Sequence, residues 1–168
     1  MLVMDIVALC PAAEKVMSTW GLHCVGCGAS GVDTLADGAR THGFSEEEVT
    51  AIISDVSDCF AEMPDSKKPV VITEVAAREV QKIAKTENRN GQALRIIPDG
   101  RGSFCLEFET RESDDPSFAD PNVPQVSVRV TPQVLKRVGG SVIDYRDGRF
   151  ALDLPENAGD RKMGCSCD

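Results

Sequence analysis

The sequence lacks any apolar run approaching the roughly 20 residues that a membrane-spanning helix requires. It is also short of positive charge. Lysine and arginine number 18 against 27 aspartates and glutamates, a formal charge of −9. That balance argues against a nucleic-acid groove or an anionic membrane surface, since both need clustered bases. Met1-Leu2-Val3-Met4-Asp5 has no basic segment and no cleavage signature, so a secretory signal is not expected and a cytoplasmic location is. Internal repeats and low-complexity tracts are missing. So is any residue set resembling an acid/base pair or an activated serine, and an enzyme is not expected. The glycine-rich stretch Pro98-Asp99-Gly100-Arg101-Gly102-Ser103 lacks the Lys-Ser/Thr ending of a phosphate loop. What remains is an acidic, soluble chain of 168 residues, enough for one ordinary domain or two small ones.

Cysteine, by contrast, is plentiful. Seven thiols cannot all pair within one molecule, and a reducing compartment disfavours structural disulfides. Two close pairs stand out, Cys24-Val25-Gly26-Cys27 and Cys165-Ser166-Cys167. Such thiols more often serve metals, clusters or redox chemistry than staple a fold. Thiolates are soft ligands for iron–sulfur clusters and zinc, and a Cys-x-x-Cys turn can aim both sulfurs at one centre. Gly21, Gly26, Gly28 and Gly31 surround the first pair and let the backbone wrap closely. A redox dithiol remains open there. His23 adjoins Cys24, but a lone exposed histidine ordinarily binds nothing, and His42 fits the end of a helix. The tail pair reads as a mobile donor of two thiolates. Cys10 and Cys59 read as buried packing residues.

Charge divides the chain. Residues 1–64 hold ten acids and two bases, residues 65–168 seventeen acids and sixteen bases. The step falls at a polar stretch bracketed by Pro64 and Pro69, which reads as a linker over 64–69. Residues 1–63 then form a small all-α bundle. Pro11 suits a first helical turn, followed by Val16, Met17 and Trp20 up to Gly21. A second helix is expected from Val32 to His42, stopped by Gly43. Ser45 and Glu48 make a capping box ahead of the stripe Val49, Ile52, Ile53, Val56 and Phe60. Residues 70–168 change period. Thr73 caps a helix facing inward through Ala76, Val80, Ile83 and Ala84. Strands are expected at 94–97, 104–108, 126–130 and 142–145, with a loop over 113–124. Asp147-Gly148 turns a last hairpin whose second strand alternates Phe150, Leu152 and Leu154. This half is α+β and mostly antiparallel.

The second half resembles the HesB/IscA family of A-type iron–sulfur carriers. Ile72-Thr73-Glu74-Val75-Ala76-Ala77 matches the family's opening strand-to-helix motif. Leu94-Arg95-Ile96 and Leu106-Glu107-Phe108 match its next strands, and Gly164-Cys165-Ser166-Cys167 its C-terminal Cys-Gly-Cys element, with serine in place of the glycine. The first half is similar to a small helical domain of unknown function found with hybrid-cluster and iron–sulfur repair proteins, through Gly21-Leu22-His23-Cys24-Val25-Gly26-Cys27, Thr34-Leu35 and His42-Gly43.

The carrier family sets a third cysteine in a turn that this chain replaces with Pro98 to Ser103. Asp99 or Ser103 falls at the missing position, depending on the direction of counting, and Cys105 is nearby. Strand alternation places Cys105 with Glu107 and Glu109. The resemblance implies a carrier that binds a labile cluster (2Fe–2S or 4Fe–4S) or iron through Cys165 and Cys167, with Cys24, Cys27 and Cys105 as further candidate ligands. Its partners would be apo iron–sulfur proteins and cluster scaffold proteins, and it would assemble as a homo-oligomer. The alternative is a thiol redox module or zinc-binding adaptor, in which Cys24 and Cys27 act on a carrier-like scaffold that has lost its cluster site.

Overall fold

The structure is a computed structural model, and it describes residues 1–24, 31–110 and 113–155. The chain divides into two compact units. Unit 1 is Met1–Pro64 together with Pro98–Ser103; unit 2 is Asp65–Ile97 and Phe104–Asp168.

Unit 1 holds four helices among its described residues: α1 (Val3–Leu9), α2 (Ala13–Thr19), α3 (Leu35–Thr41) and α4 (Glu46–Glu62). Helix α1 had no counterpart in the sequence reading, yet Val3, Ile6 and Leu9 bury at helical spacing. Helix α3 begins three residues later than Val32, because Thr34 caps it by accepting the Asp37 N–H at 3.2 Å. Val32 is left exposed. The capping box of α4 forms as expected: Ser45 N–H donates to Glu48 Oε2 at 2.8 Å, and Glu48 N–H donates to Ser45 Oγ at 3.3 Å. These bonds favour the ionised form and hold the Glu48 carboxyl below the usual range. Val49, Ile52 and Val56 enter the core, whereas Ile53, expected on the same stripe, faces outward. The Arg40 guanidinium grips both Glu46 oxygens, at 2.7 and 2.9 Å, and fixes the corner between α3 and α4.

Unit 2 contains β1 (Val71–Ile72), α5 (Glu74–Thr86), β2 (Ala93–Pro98), β3 (Phe104–Glu109), β4 (Ser117–Ala119), β5 (Ser127–Arg129), α6 (Pro132–Val138), β6 (Val142–Arg146) and β7 (Arg149–Asp153). Pro98, the last residue of β2, is grouped with unit 1. Thr73 caps α5 through the Ala76 N–H. Two sheets result, in the orders β1-β6-β7 and β3-β2-β5-β4.

Both sheets are mixed, with parallel pairings beside the antiparallel ones that the sequence led one to expect. β1 runs parallel to β6 and β2 parallel to β5, while β4 pairs antiparallel with β5 and β6 with β7. The β6–β7 hairpin turns through Asp147 and Gly148, both at positive φ, as its two-residue turn requires. Helix α6 was missed although Thr131-Pro132 is a cap followed by a first-turn proline. Strand β4 lies inside the stretch expected to be loop. Ile96, Val128, Val130 and Ile143 are fully buried and mark the core. From Asp65 onward the stretch read as linker is seated within unit 2. Asp65 pairs with Lys136 at 3.3 Å, and the Gly140 N–H donates to the Pro69 carbonyl at 3.0 Å.

Candidate functional site

Gly21 ends α2 at a φ of +80°, and the following Leu22 is 1% exposed. Leu22 thereby anchors the segment that leads into Cys24. His23 points to solvent, and Cys24 is half-buried against the unit 1 core. Cys27, Cys165 and Cys167 lie outside the described residues. Cys105 sits on β3, half-buried. Its neighbours Leu106 and Phe108 line a cavity of about 360 Å³ with Val80, Ile83 and Phe150. Alternation therefore gives the other face of β3 to Cys105, Glu107 and Glu109. Glu109 on that face is ion-paired to Arg95, whose other nitrogen meets Asp115 at 2.9 Å.

The turn where the carrier family has a cysteine is tied up in its own hydrogen bonds. Asp99 Oδ1 accepts the N–H groups of Arg101 and Ser103, at 2.8 and 2.9 Å, and Asp99 N–H donates to the Ser103 carbonyl at 3.0 Å. Gly100 and Gly102 take positive φ to make the bend. Within unit 1 the Gly100 N–H donates to Asp5 Oδ1 at 2.8 Å. Asp99 is thus a turn former. Among the described residues no group of three or more His, Cys, Asp or Glu side chains is arranged to hold a metal ion.

One thiol pair was not legible in the sequence. Cys10, the residue that ends α1, and Cys59, near the end of α4, hold their sulfurs 3.1 Å apart. They are 49 positions apart, so no spacing rule joins them. Cys10 is buried as expected, but Cys59 is only half-buried. Burial, then the hydrogen bond with Cys10, pushes the Cys59 thiol up to about 11.

No helix among the described residues is long and apolar enough to cross a membrane. No protein-family model matches the chain. Individual proteins do. The chain is 33% identical over 114 residues to the iron–sulfur cluster insertion protein ErpA of Blochmanniella pennsylvanica, a match covering 61% of this chain and 92% of that protein. It is 25% identical over 99 residues to ErpA of Actinobacillus pleuropneumoniae, covering 55% and 88%. Two solved structures are also similar. A protein from Aquifex aeolicus, solved by NMR, is 27% identical, with 55% of this chain and all of that one covered and a TM-score of 0.39. Escherichia coli SufA, described as involved in biosynthesis of iron–sulfur clusters, is 17% identical, with 58% and 88% covered and a TM-score of 0.42.

The two sequence matches define an A-type iron–sulfur carrier domain over rather more than half of the chain. The chain belongs to the family of the iron–sulfur cluster insertion protein ErpA.

Proposed function

We propose that this protein carries an iron–sulfur cluster, or iron, as cargo and hands it to an apoprotein by thiolate exchange. The observation that carries the reading is the match over nine-tenths of a protein named for inserting such clusters. Cargo must be held firmly enough to survive and openly enough to leave. Cys165 and Cys167, which match the family's C-terminal pair, are the proposed donors. Cys24 and Cys27 are proposed to complete the set, because a cluster commonly takes four cysteine ligands and the tail supplies two per subunit. A homo-oligomer that pools tails from two subunits is the other way to reach four. Cys24 suits the role in being half-buried at the end of an anchored segment. Residues 1–63 are proposed as a small helical Cys-x-x-Cys domain, joined to a carrier domain at 70–168. The protein acts without catalysis of its own in a reducing, cytoplasmic setting, between scaffold and apo iron–sulfur proteins.

A second reading has one observation in its favour. The turn at Pro98–Ser103 contains no thiol, and Asp99 Oδ1 is occupied by two backbone donors. A zinc adaptor or thiol redox module based on Cys24 and Cys27 would need no ligand there. Anaerobic reconstitution with iron and sulfide separates the two. A carrier gains visible thiolate-to-iron absorbance with stoichiometric iron and sulfide, and passes them to an apo-ferredoxin. Tight zinc with no retained sulfide would overturn the carrier reading.

A further inference from the structure

The carrier reading assigns nothing to Cys10 and Cys59. We propose that they form a reversible two-electron redox site that closes to a disulfide joining the end of α1 to α4 of the same unit. A disulfide bond is about 2.05 Å long, so sulfurs already at 3.1 Å need to approach by only about 1 Å. Both ends are held in place. The Cys10 N–H donates to the Ile6 carbonyl at 2.8 Å, closing the last turn of α1, and Cys59 lies within the seventeen residues of α4. Core packing brings the pair together: Ile6, Cys10, Ile52 and Val56 belong to one buried cluster, and Cys59 packs against it.

Exposure assigns the order of events. Cys59 is half-buried and within reach of a small oxidant, whereas Cys10 is 1% exposed. The oxidant is a low-molecular-weight disulfide of the glutathione type. The Cys59 thiolate attacks one sulfur of that disulfide, forming a mixed disulfide and releasing one small thiolate. The Cys10 thiolate then attacks Cys59 Sγ and expels the second. The two protons lost from the protein end on the two small thiols. Two cysteine thiols are oxidised and one small disulfide is reduced to two thiols. Burial and the neighbouring Cys10 and Glu62 make the Cys59 thiolate scarce at neutral pH.

The test uses the full chain, reduced, desalted and incubated for hours with oxidised glutathione at pH 8. Remaining thiols are alkylated, and peptides are mapped by mass without reduction. The expected product is a Cys10–Cys59 linked peptide that dithiothreitol reverses. The thermal midpoint should rise by roughly 5–10 °C, since the bond closes a long loop in the unfolded chain. Three results would overturn the proposal: both thiols still alkylated when other cysteines are oxidised, Cys59 trapped as a stable glutathione adduct, or a linked peptide formed only in denaturant. Mapping the native sequence avoids dependence on a variant that misfolds. Cys59→Ser, where folded, should lose this link alone. Neither cysteine is a proposed cluster ligand, so failure here leaves the carrier reading intact.

Discussion

Asp99 is one of two residues, with Ser103, that fall where a carrier-type ligand would be sought, and replacing it separates two roles that a carboxylate can play. As a turn former it accepts two backbone N–H groups through one oxygen, at 2.8 and 2.9 Å. The bond to Ser103 is partly buried and the bond to Arg101 is exposed. A net value of about 0.5–1.5 kcal/mol for each, with the exposed bond at the low end, gives about 1–2 kcal/mol for the pair. Asp99→Ala should therefore lower the thermal midpoint by roughly 2–8 °C in a chain of this length. Asp99→Asn keeps an amide oxygen for the same two donors, without the charge, and should lower the midpoint less than Asp99→Ala does. The assay is thermal unfolding by circular dichroism under reducing conditions, with iron and sulfide measured after reconstitution. The decisive comparison is Asp99→Asn, which retains the turn and removes the charge. Unchanged iron content, with a smaller loss of stability than in Asp99→Ala, fits a turn former. Loss of iron from a stable Asp99→Asn protein would make the carboxylate a ligand and refute the reasoning.

Four further outcomes are expected. Cys165→Ser/Cys167→Ser should fold with an unaltered circular dichroism spectrum yet lose the visible absorbance after reconstitution; full retention of iron and sulfide would exclude the tail as donor. Cys59, pushed up to about 11, should react with iodoacetamide at pH 8 roughly 100- to 300-fold more slowly than an ordinary thiol of pKa ~8.5, and the rate should climb about tenfold per pH unit toward that value. Glu48 is held ionised by Ser45, so the stability it contributes is present above the pKa of an unfolded glutamate and is lost as pH falls through the lower folded value. Glu48→Gln should flatten that part of the acid unfolding curve, as followed by helical circular dichroism. Ser141 is fully buried and its hydroxyl has no hydrogen-bond partner among the described residues. Ser141→Ala should raise stability in urea by up to about 1 kcal/mol, and a loss would reveal a partner for the hydroxyl.

What could be read from the sequence depended on whether its physical signal was local. The capping box of α4, the Thr73 cap of α5 and the Asp147-Gly148 turn each rest on a few adjacent side chains and backbone groups, and each formed as read. Ile53 failed for a finer reason. A stripe of five apolar residues spans more of a helix than unit 1 covers, so one residue at its margin stays in water. Helix α6 carried its own local signal in Thr131-Pro132 and could have been found. The parallel pairings β1–β6 and β2–β5 could not, because partners about 70 and 34 positions apart leave no mark on either strand alone. The same limit hid the Cys10–Cys59 contact, which only the packing of α1 and α4 in one core creates. Of the candidate ligands, Cys24 and Cys105 are both half-buried, and the sequence pattern alone still nominates Cys27, Cys165 and Cys167.

The turn at Pro98–Ser103 ties these observations to the chemistry. A cluster-binding turn must keep its donor atom unengaged until cargo arrives, which leaves an unsatisfied, solvent-facing group at a bend. Here the bend is closed by its own hydrogen bonds: Asp99 caps two N–H groups, and Gly100 N–H finds Asp5 within unit 1. Such a turn is stable without cargo, and adding iron would cost it those bonds. A carrier built on it therefore has to draw its thiolates from segments outside the turn. The four proposed donors belong to the short elements Cys24-Val25-Gly26-Cys27 and Cys165-Ser166-Cys167, and Cys24 is half-buried. Under the proposed donor set, with Cys24 and Cys27 added to the tail pair, transfer is favoured as well. An incoming apoprotein can replace them stepwise, each exchange conserving the number of iron–sulfur bonds, so no step exposes a bare iron. Under this reasoning Cys24→Ser/Cys27→Ser should shorten cluster lifetime more than it lowers initial loading, because the tail pair still captures iron. Equal lifetimes in the variant and the parent, measured by decay of visible absorbance under a chelator, would assign all holding to the tails and leave Cys24 and Cys27 to separate redox or partner-binding work.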